Sequence, residues 1–206
     1  MTQSDLLSMT RADFDTKASN MIGAQVILNH TTKTVPWTII GYNHDGTSYT
    51  FDLMSSVSMY DNTGFGGSEY YGSSYVRTTI NNMVSGFGSD IQNRLQTMNV
   101  VSSGYINNDK VKLLSLTEMG ITSGDGHPGV EGNTYSGYFT TGRSIGRYGD
   151  LIRNSSSGSV VDYWTRSRYT NASQMVFCIA DNGNIYKGGL SDTHSYLPVI
   201  RISIPA

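Results

Sequence analysis

The chain has 206 residues, enough for one domain with a sizeable core, and only 15% of them are charged, against roughly 25% in an average soluble domain. A formal charge of −2 gives no electrostatic basis for binding nucleic acid or an anionic membrane. The 23 Gly and 14 Tyr residues, among many Ser, Thr and Asn, describe instead a β-rich surface of hydroxyls, amides and phenols. Met1-Thr2-Gln3-Ser4-Asp5 lacks a basic segment and a long apolar stretch, so no signal peptide is expected and synthesis in a cytoplasm follows. No segment approaches the ~20 apolar residues of a membrane span.

Residues 4–22 predict a helix, with Thr10 and Asp13 spaced as a capping box and Leu7, Phe14, Ala18 and Met21 near one face. The apolar stripe is thin, so this helix packs on the body or on another copy. Residues 1–22 are therefore read as a helical anchor or oligomerisation segment before a single domain over 23–206. Strands follow at 25–28 and 37–42, then the turn His44-Asp45-Gly46 and a strand at 49–55. Tyr49, Phe51 and Leu53 alternate with polar residues there as in a half-buried strand. Residues 60–73 form a Gly/Tyr/Ser-rich loop. A helix from Ser73 or Ser74 to about Ser85 carries Val76, Ile80, Met83 and Phe87 at helical spacing. Ser89 with Gln92 reads as a second capping box, for a short helix over 90–97. Val111 to Leu116 reads as a buried strand. Residues 120–158 form a long, weakly patterned loop region of the kind that carries function or moves. From Val160 the chain reads as hairpins, including the turn Asp181-Asn182-Gly183-Asn184.

The lone Cys178 sits in the apolar run Met175 to Ala180, which predicts a buried, inert thiol. His30, His44, His127 and His194 show no zinc-ligand spacing. Asp125, Glu131, Asp150, Asp162, Asp181, Asn184 and Asp192 offer oxygens for calcium without forming a calcium-loop spacing. No cofactor is expected, with calcium the less favoured alternative. No Gly-x-Ser-x-Gly elbow occurs, Gly64-Phe65-Gly66-Gly67 lacks the Lys-Ser/Thr of a phosphate loop, and nothing singles out the carboxylate pair of a glycosidase. The expectation is therefore a protein that is not an enzyme. Trp164 and Arg166 lie two apart on a strand and share a face. Trp164 reads as core and Arg166 as the partner of a buried carboxylate such as Glu118, and Arg77 and Arg201 read alike. The surface candidates are Arg168, Tyr169 and Asn171, then Asn184 and Tyr186, then His194 and Tyr196. These give rigid aromatic area with adaptable hydrogen bonding, as in antibody paratopes. Tyr70-Tyr71 and Tyr135 to Phe139 can join them from the long loops.

Five motifs in order carry a resemblance: Trp37 to Gly41, Ser74 to Asn81, Leu113 to Glu118, Tyr163 to Ser167, and Val199 to Arg201. Together they resemble the uncharacterised domain-of-unknown-function family six-two-seven-three, widespread in gut bacteria and their phages, over roughly residues 24–203. Arg168 and Ile202 stand where family members usually have proline. The layout is also similar to C-type-lectin-like folds. The fold class implied is α+β, with mixed and antiparallel sheets, two flanking helices and long loops. The formylglycine-generating relatives of that fold use reactive cysteines that this chain lacks. The function implied is a noncatalytic, lectin-like recognition or decoration module on a phage virion, released by lysis and contacting a host-surface glycan or protein. Other virion subunits and copies of itself are the expected partners, with neither nucleic acid nor membrane among them. The alternatives are a purely structural capsid or tail component and a polysaccharide hydrolase.

Overall fold

A computed structural model of the chain describes residues 1–205. It opens on two short helices, α1 (Gln3–Leu7) and α2 (Arg11–Lys17), followed by a turn of 3-10 helix over Ala18–Met21. The single helix expected over 4–22 is broken, and the capping signal is the cause. Thr10 takes an extended conformation (φ −86°, ψ 164°), its hydroxyl accepts from the Asp13 N–H and the Asp13 carboxylate accepts from the Thr10 N–H, so a capping box in mid-segment starts a new helix. Leu6, Phe14 and Ala18 enter the same apolar cluster as Trp37 and Trp164, and Thr2 bridges Ile27. The segment thus packs on the body of its own chain.

The fold is mixed α+β. A first five-stranded sheet has the order β1 (Gln25–Leu28), β2 (Val35–Tyr42), β3 (Thr50–Ser55), β14 (Val199–Ser203), β7 (Val111–Lys112). A second has the order β12 (Ile185–Gly189), β11 (Met175–Ile179), β10 (Tyr163–Arg168), β13 (Thr193–Tyr196), β4 (Tyr60–Gly64). Pairing is antiparallel in both except between β10 and β13. Two small ribbons complete the strands: an antiparallel hairpin of β5 (Met98–Ser102) and β6 (Tyr105–Asp109), and a parallel pair of β8 (Ile121–Ser123) and β9 (Arg143–Ser144). Helix α3 (Tyr75–Asn82) is capped by the Ser74 hydroxyl and buries Val76 and Ile80, while Met83 and Phe87 continue its apolar face beyond its end. Helix α4 (Ser89–Gln92) is capped by Gly88 without a side-chain bond, so the expected Ser89/Gln92 capping box does not form and the helix stops short of residue 97.

Two further expectations are corrected by position in the sheet. Strand β3 is buried along its whole length, because it is the central strand: Phe51 and Leu53 face one apolar cluster and Met54 the other. The strand expected over 111–116 shrinks to β7. Beyond it, Leu114 accepts from the Arg166 N–H and the Leu116 N–H donates to Ser167, so this segment stitches the first sheet to the second.

Charge is buried at that seam. Lys112 and Arg166 are fully buried and Glu118 is 2% exposed. Lys112 Nζ donates to Glu118 Oε1 at 2.7 Å and Arg166 Nη1 to Glu118 Oε2 at 2.5 Å. Arg166 also donates to the carbonyls of Val101, Leu113 and Glu131. Burial alone raises the Glu118 carboxyl, yet Arg166 and Lys112 overcome it and hold it at about 2. Arg201 on β14 forms a bidentate pair with Asp52 on β3 at 2.6 and 2.7 Å, and Tyr135 donates to the same carboxylate. The structural reading of Trp164, Arg166, Arg77 and Arg201 is thereby borne out: Trp164 is 1% exposed and each arginine has its carboxylate.

Candidate ligand-contact cleft

The β5–β6 hairpin turns on Ser103 and Gly104, both at positive φ (49° and 80°). This is the two-residue turn whose twist matches paired strands, and Gly104 supplies the conformation that a side chain resists. The turn lifts Tyr105 and Ile106 out of the body, 66% and 68% exposed. Opposite them runs the loop before α3. Between the two lies a cleft of about 360 Å³ lined by Tyr70, Gly72, Ser73, Ser102, Tyr105, Ile106 and Asn107, within the ~300–1,000 Å³ usual for ligand sites. The Tyr70 and Tyr105 rings stand edge to face with centroids 6.3 Å apart.

Arg77 holds both walls. From α3 its guanidinium grips Asp109 at the end of β6 through three contacts of 2.8 to 3.0 Å, and its Nη1 donates to the Gly72 carbonyl at 2.8 Å. The floor is fixed from below, where Glu131 Oε1 accepts from the Ser103 N–H at 3.0 Å and Oε2 from the Ser167 hydroxyl at 2.5 Å. Burial pushes the Glu131 carboxyl up from its ordinary value, with Arg166 and these hydrogen bonds pulling the other way. Polar atoms are left over around this fixed frame. Among the described residues seven buried side-chain polar atoms lack a hydrogen-bond partner, and three of them lie on this frame: Asn107 Nδ2 in the cleft, Ser103 Oγ on its turn and Arg168 Nε on its rim. An unpaired buried donor is costly, and of these atoms Asn107 Nδ2 belongs to a residue that lines the cleft, where a ligand can pair it.

The residues picked from the sequence divide around β10 to β13. Arg168 reaches the cleft rim, its guanidinium 4.8 Å above the Tyr70 ring and 3.7 Å from Glu69. Tyr169 and Asn171 form a second cluster: both donate to Asp125, at 2.7 and 2.6 Å, and Lys187 donates to the Tyr169 hydroxyl. Those bonds, the Tyr169 hydroxyl's first, hold the Asp125 carboxyl below its usual range. Tyr169 is only 6% exposed because its ring lies over Gly126, where a Cβ would sit 2.0 Å from it. Tyr186 and His194 occupy the opposite face of the sheet, since Tyr186 and Lys187 are consecutive strand residues. There Tyr186 donates to Asp162 at 2.7 Å and His194 packs on Trp164 with centroids 4.5 Å apart. Burial pushes the His194 imidazole below its ordinary value, while Asp162 and Asp192 oppose that. Asn184 is exposed on the β11–β12 turn and bridges Arg147.

The surface reading of Tyr196 is corrected: it is fully buried and donates to the Gly64 carbonyl at 2.7 Å, because β13 is flanked by β10 and β4 and faces the core there. The seven candidates therefore do not form one patch. Of the loop aromatics, Tyr70 joins Arg168, while Tyr71, Tyr135 and Phe139 are interior. Tyr105 and Asn107 escape sequence reading because residues 98–109 carry no clear strand or helix period. Ser103-Gly104 between Val100-Val101 and Tyr105-Ile106 is the turn signal that marks them.

The oxygens weighed for calcium are dispersed. Asp150 pairs with Arg143, Asp162 with Tyr186 and the Asp181 N–H, and Asp192 accepts from the Gly189 N–H. Among the described residues no three His, Cys, Asp or Glu side chains converge on a metal-sized point. Among the described residues no helix is long and apolar enough to cross a membrane.

No curated protein and no solved structure matches the chain. A family match begins at Phe51 in β3 and ends at Ile202 in β14, residues that are register partners in the first sheet, so it encloses the cleft and both sheets' shared seam. On that match over residues 51–202 the chain belongs to the family described as Domain of unknown function (DUF6273).

Proposed function

We propose that the protein is a noncatalytic, C-type-lectin-like recognition module, carried on a phage virion as a decoration or tail protein, that contacts a host-surface glycan or protein. The observation that carries this reading is the cleft between Tyr70 and Tyr105. Its walls are strapped together by Arg77, so a ligand meets a preorganised site and little ordering entropy is spent on binding. Aromatic faces, amides and hydroxyls there supply contact area and hydrogen bonds. The virion setting and the lectin-like fold rest on the family resemblance and on the hydroxyl-rich, weakly charged composition. Other virion subunits and further copies of the chain are the proposed neighbours.

The test is binding of the purified protein to a glycan array and to a panel of gut bacterial cells, with calcium and with chelator. Saturable binding that falls on Tyr70→Ala or Arg168→Ala, and persists in Asn184→Ala, supports a recognition role seated at the cleft. Absence of binding by the folded protein under both conditions overturns it in favour of a structural virion component. Cleavage of a polysaccharide by the protein overturns the noncatalytic reading.

A further inference from the structure

Resting on that recognition role, we infer that the Tyr70–Tyr105 cleft binds a neutral saccharide, one or two pyranose rings long, with the sugar stacked on Tyr105 and its hydroxyls paired to Asn107 and Ser73. Three observations lead there. The side chains lining the cleft are all uncharged. Arg168 on the rim lies beside Glu69 and over the Tyr70 ring, so its charge is already balanced. A phosphate or carboxylate inside the cleft would therefore find no free counter-charge, and a nucleotide or acidic sugar is disfavoured.

A free donor and a free acceptor specify the polar half of the ligand. Asn107 Nδ2 can only donate, and its amide is packed against the backbone of Gly72, where a Cβ would lie 3.1 Å from Nδ2. Ser73 Oγ, on the facing wall, donates to the Tyr70 carbonyl and leaves its lone pairs free to accept. A ligand that satisfies both must offer oxygens that act as acceptor and as donor from neighbouring positions, as adjacent sugar hydroxyls do. The apolar half follows from Tyr105 and Ile106, which would expose their faces to water without an occupant. A pyranose ring has a C–H face carrying slight positive charge, complementary to the negative face of a phenol ring. A purely apolar ligand would cover the rings and leave the Asn107 donor unpaired, and a purely polar one would do the reverse. Polar partners are side-chain and backbone groups of the chain itself, so this mode of binding is independent of calcium.

The experiment is an NMR titration of the ¹⁵N-labelled protein, in chelator, with methyl glycosides of glucose, galactose, mannose, N-acetylglucosamine and N-acetylgalactosamine. Methyl glucuronide and a methyl sialoside serve as anionic comparators, and whole-cell binding before and after periodate oxidation of the cells runs in parallel. The expected result is saturable shifts at Gly72, Ser73, Tyr105 and Asn107 with at least one neutral glycoside, weakened about tenfold or more by Tyr105→Ala. Tyr105 is mostly exposed, so this variant folds, and Tyr42→Ala, at an exposed tyrosine elsewhere, leaves the shifts intact. Cell binding that survives periodate, without glycoside shifts, identifies a protein ligand and overturns the saccharide inference while the recognition role stands. Shifts with the anionic glycosides alone, or shifts confined to residues around Tyr169 or Tyr186, overturn the ligand class or its place. If neither cells nor glycosides bind, both readings fall together.

Discussion

Substituting Glu118 by Gln tests what holds the two sheets together, because it changes charge and almost nothing else. The variant leaves Lys112 and Arg166, both fully buried, without the carboxylate they share at 2.7 and 2.5 Å. Removing one partner of a buried ion pair costs about 3–5 kcal/mol, because the other charge is stranded. A second route gives the same size. A carboxyl moved from an ordinary 4.5 to about 2 is linked to about 3 kcal/mol of folding stability. The sign follows from the direction: the folded-state value is depressed, so this stability is fully present above pH 4.5 and is lost as pH falls toward 2. Thermal unfolding followed by far-ultraviolet circular dichroism at pH 7 should show a fall of roughly 6–20 °C, at about 2–4 °C per kcal/mol for a chain of this size. Adding Lys112→Met to Glu118→Gln removes one stranded cation and should recover part of that fall. A loss under about 1 kcal/mol for Glu118→Gln alone would mean that Arg166 and Lys112 are satisfied by backbone carbonyls, and the seam would need another explanation.

Gly126→Ala forces a Cβ to 2.0 Å from the Tyr169 ring at φ +68° and should cost about 1–3 kcal/mol, read as a lower urea midpoint at unchanged slope. Tyr196→Phe removes the bond to the Gly64 carbonyl from a fully buried ring and should cost about 0.5–1.5 kcal/mol by the same assay. Wild-type stability there would show the hydroxyl to be paired with water. Burial pushes the Cys178 thiol well above its ordinary range, so a thiol-specific reagent at pH 8 should label it only in denaturant, and rapid labelling of the native protein would contradict its burial. The His194 imidazole, pushed below 6.5 by burial, should titrate by NMR below that value. It destabilises the fold as pH drops beneath 6.5, because the unfolded chain takes up the proton first.

Much of the fold was legible because its signals are local. The strand over 25–28, the Ser74 cap, the apolar face of α3 and the Asp181 to Asn184 turn each follow from neighbours in sequence. Arg166 pairing with Glu118 was also legible, since an arginine in a buried strand requires a carboxylate. The failures share a different origin. Thr10 and Asp13 form their capping box, yet a cap inside an apolar pattern was read as decoration of one helix where it starts a second. The burial of Tyr196 and of all of β3 depends on which strands flank them, and that is set by chain segments more than 100 residues away. The candidate site was half seen. Arg168 was named, but its aromatic neighbour across the cleft sits on a hairpin whose only mark is one Ser-Gly dipeptide.

Strand β14 enters the first sheet between β3 and β7, and Arg201 upon it meets a carboxylate 149 positions earlier in the chain. Until that strand arrives, β3 and β7 are bare edges facing one another across an unfilled gap, and Asp52 is a charge waiting inside a forming core. Long-range pairing of this kind costs loop-closure entropy before any contact offsets it, so this strand should dock late and leave the edges of β3 and β7 open until it does. A chain that stops short of Val199 should accumulate as aggregate, because β3 loses one flanking strand and β7 loses its strand partner. Closure of the first sheet thus rests on five residues, Val199–Ser203, whose docking joins the β1–β2–β3 meander to β7.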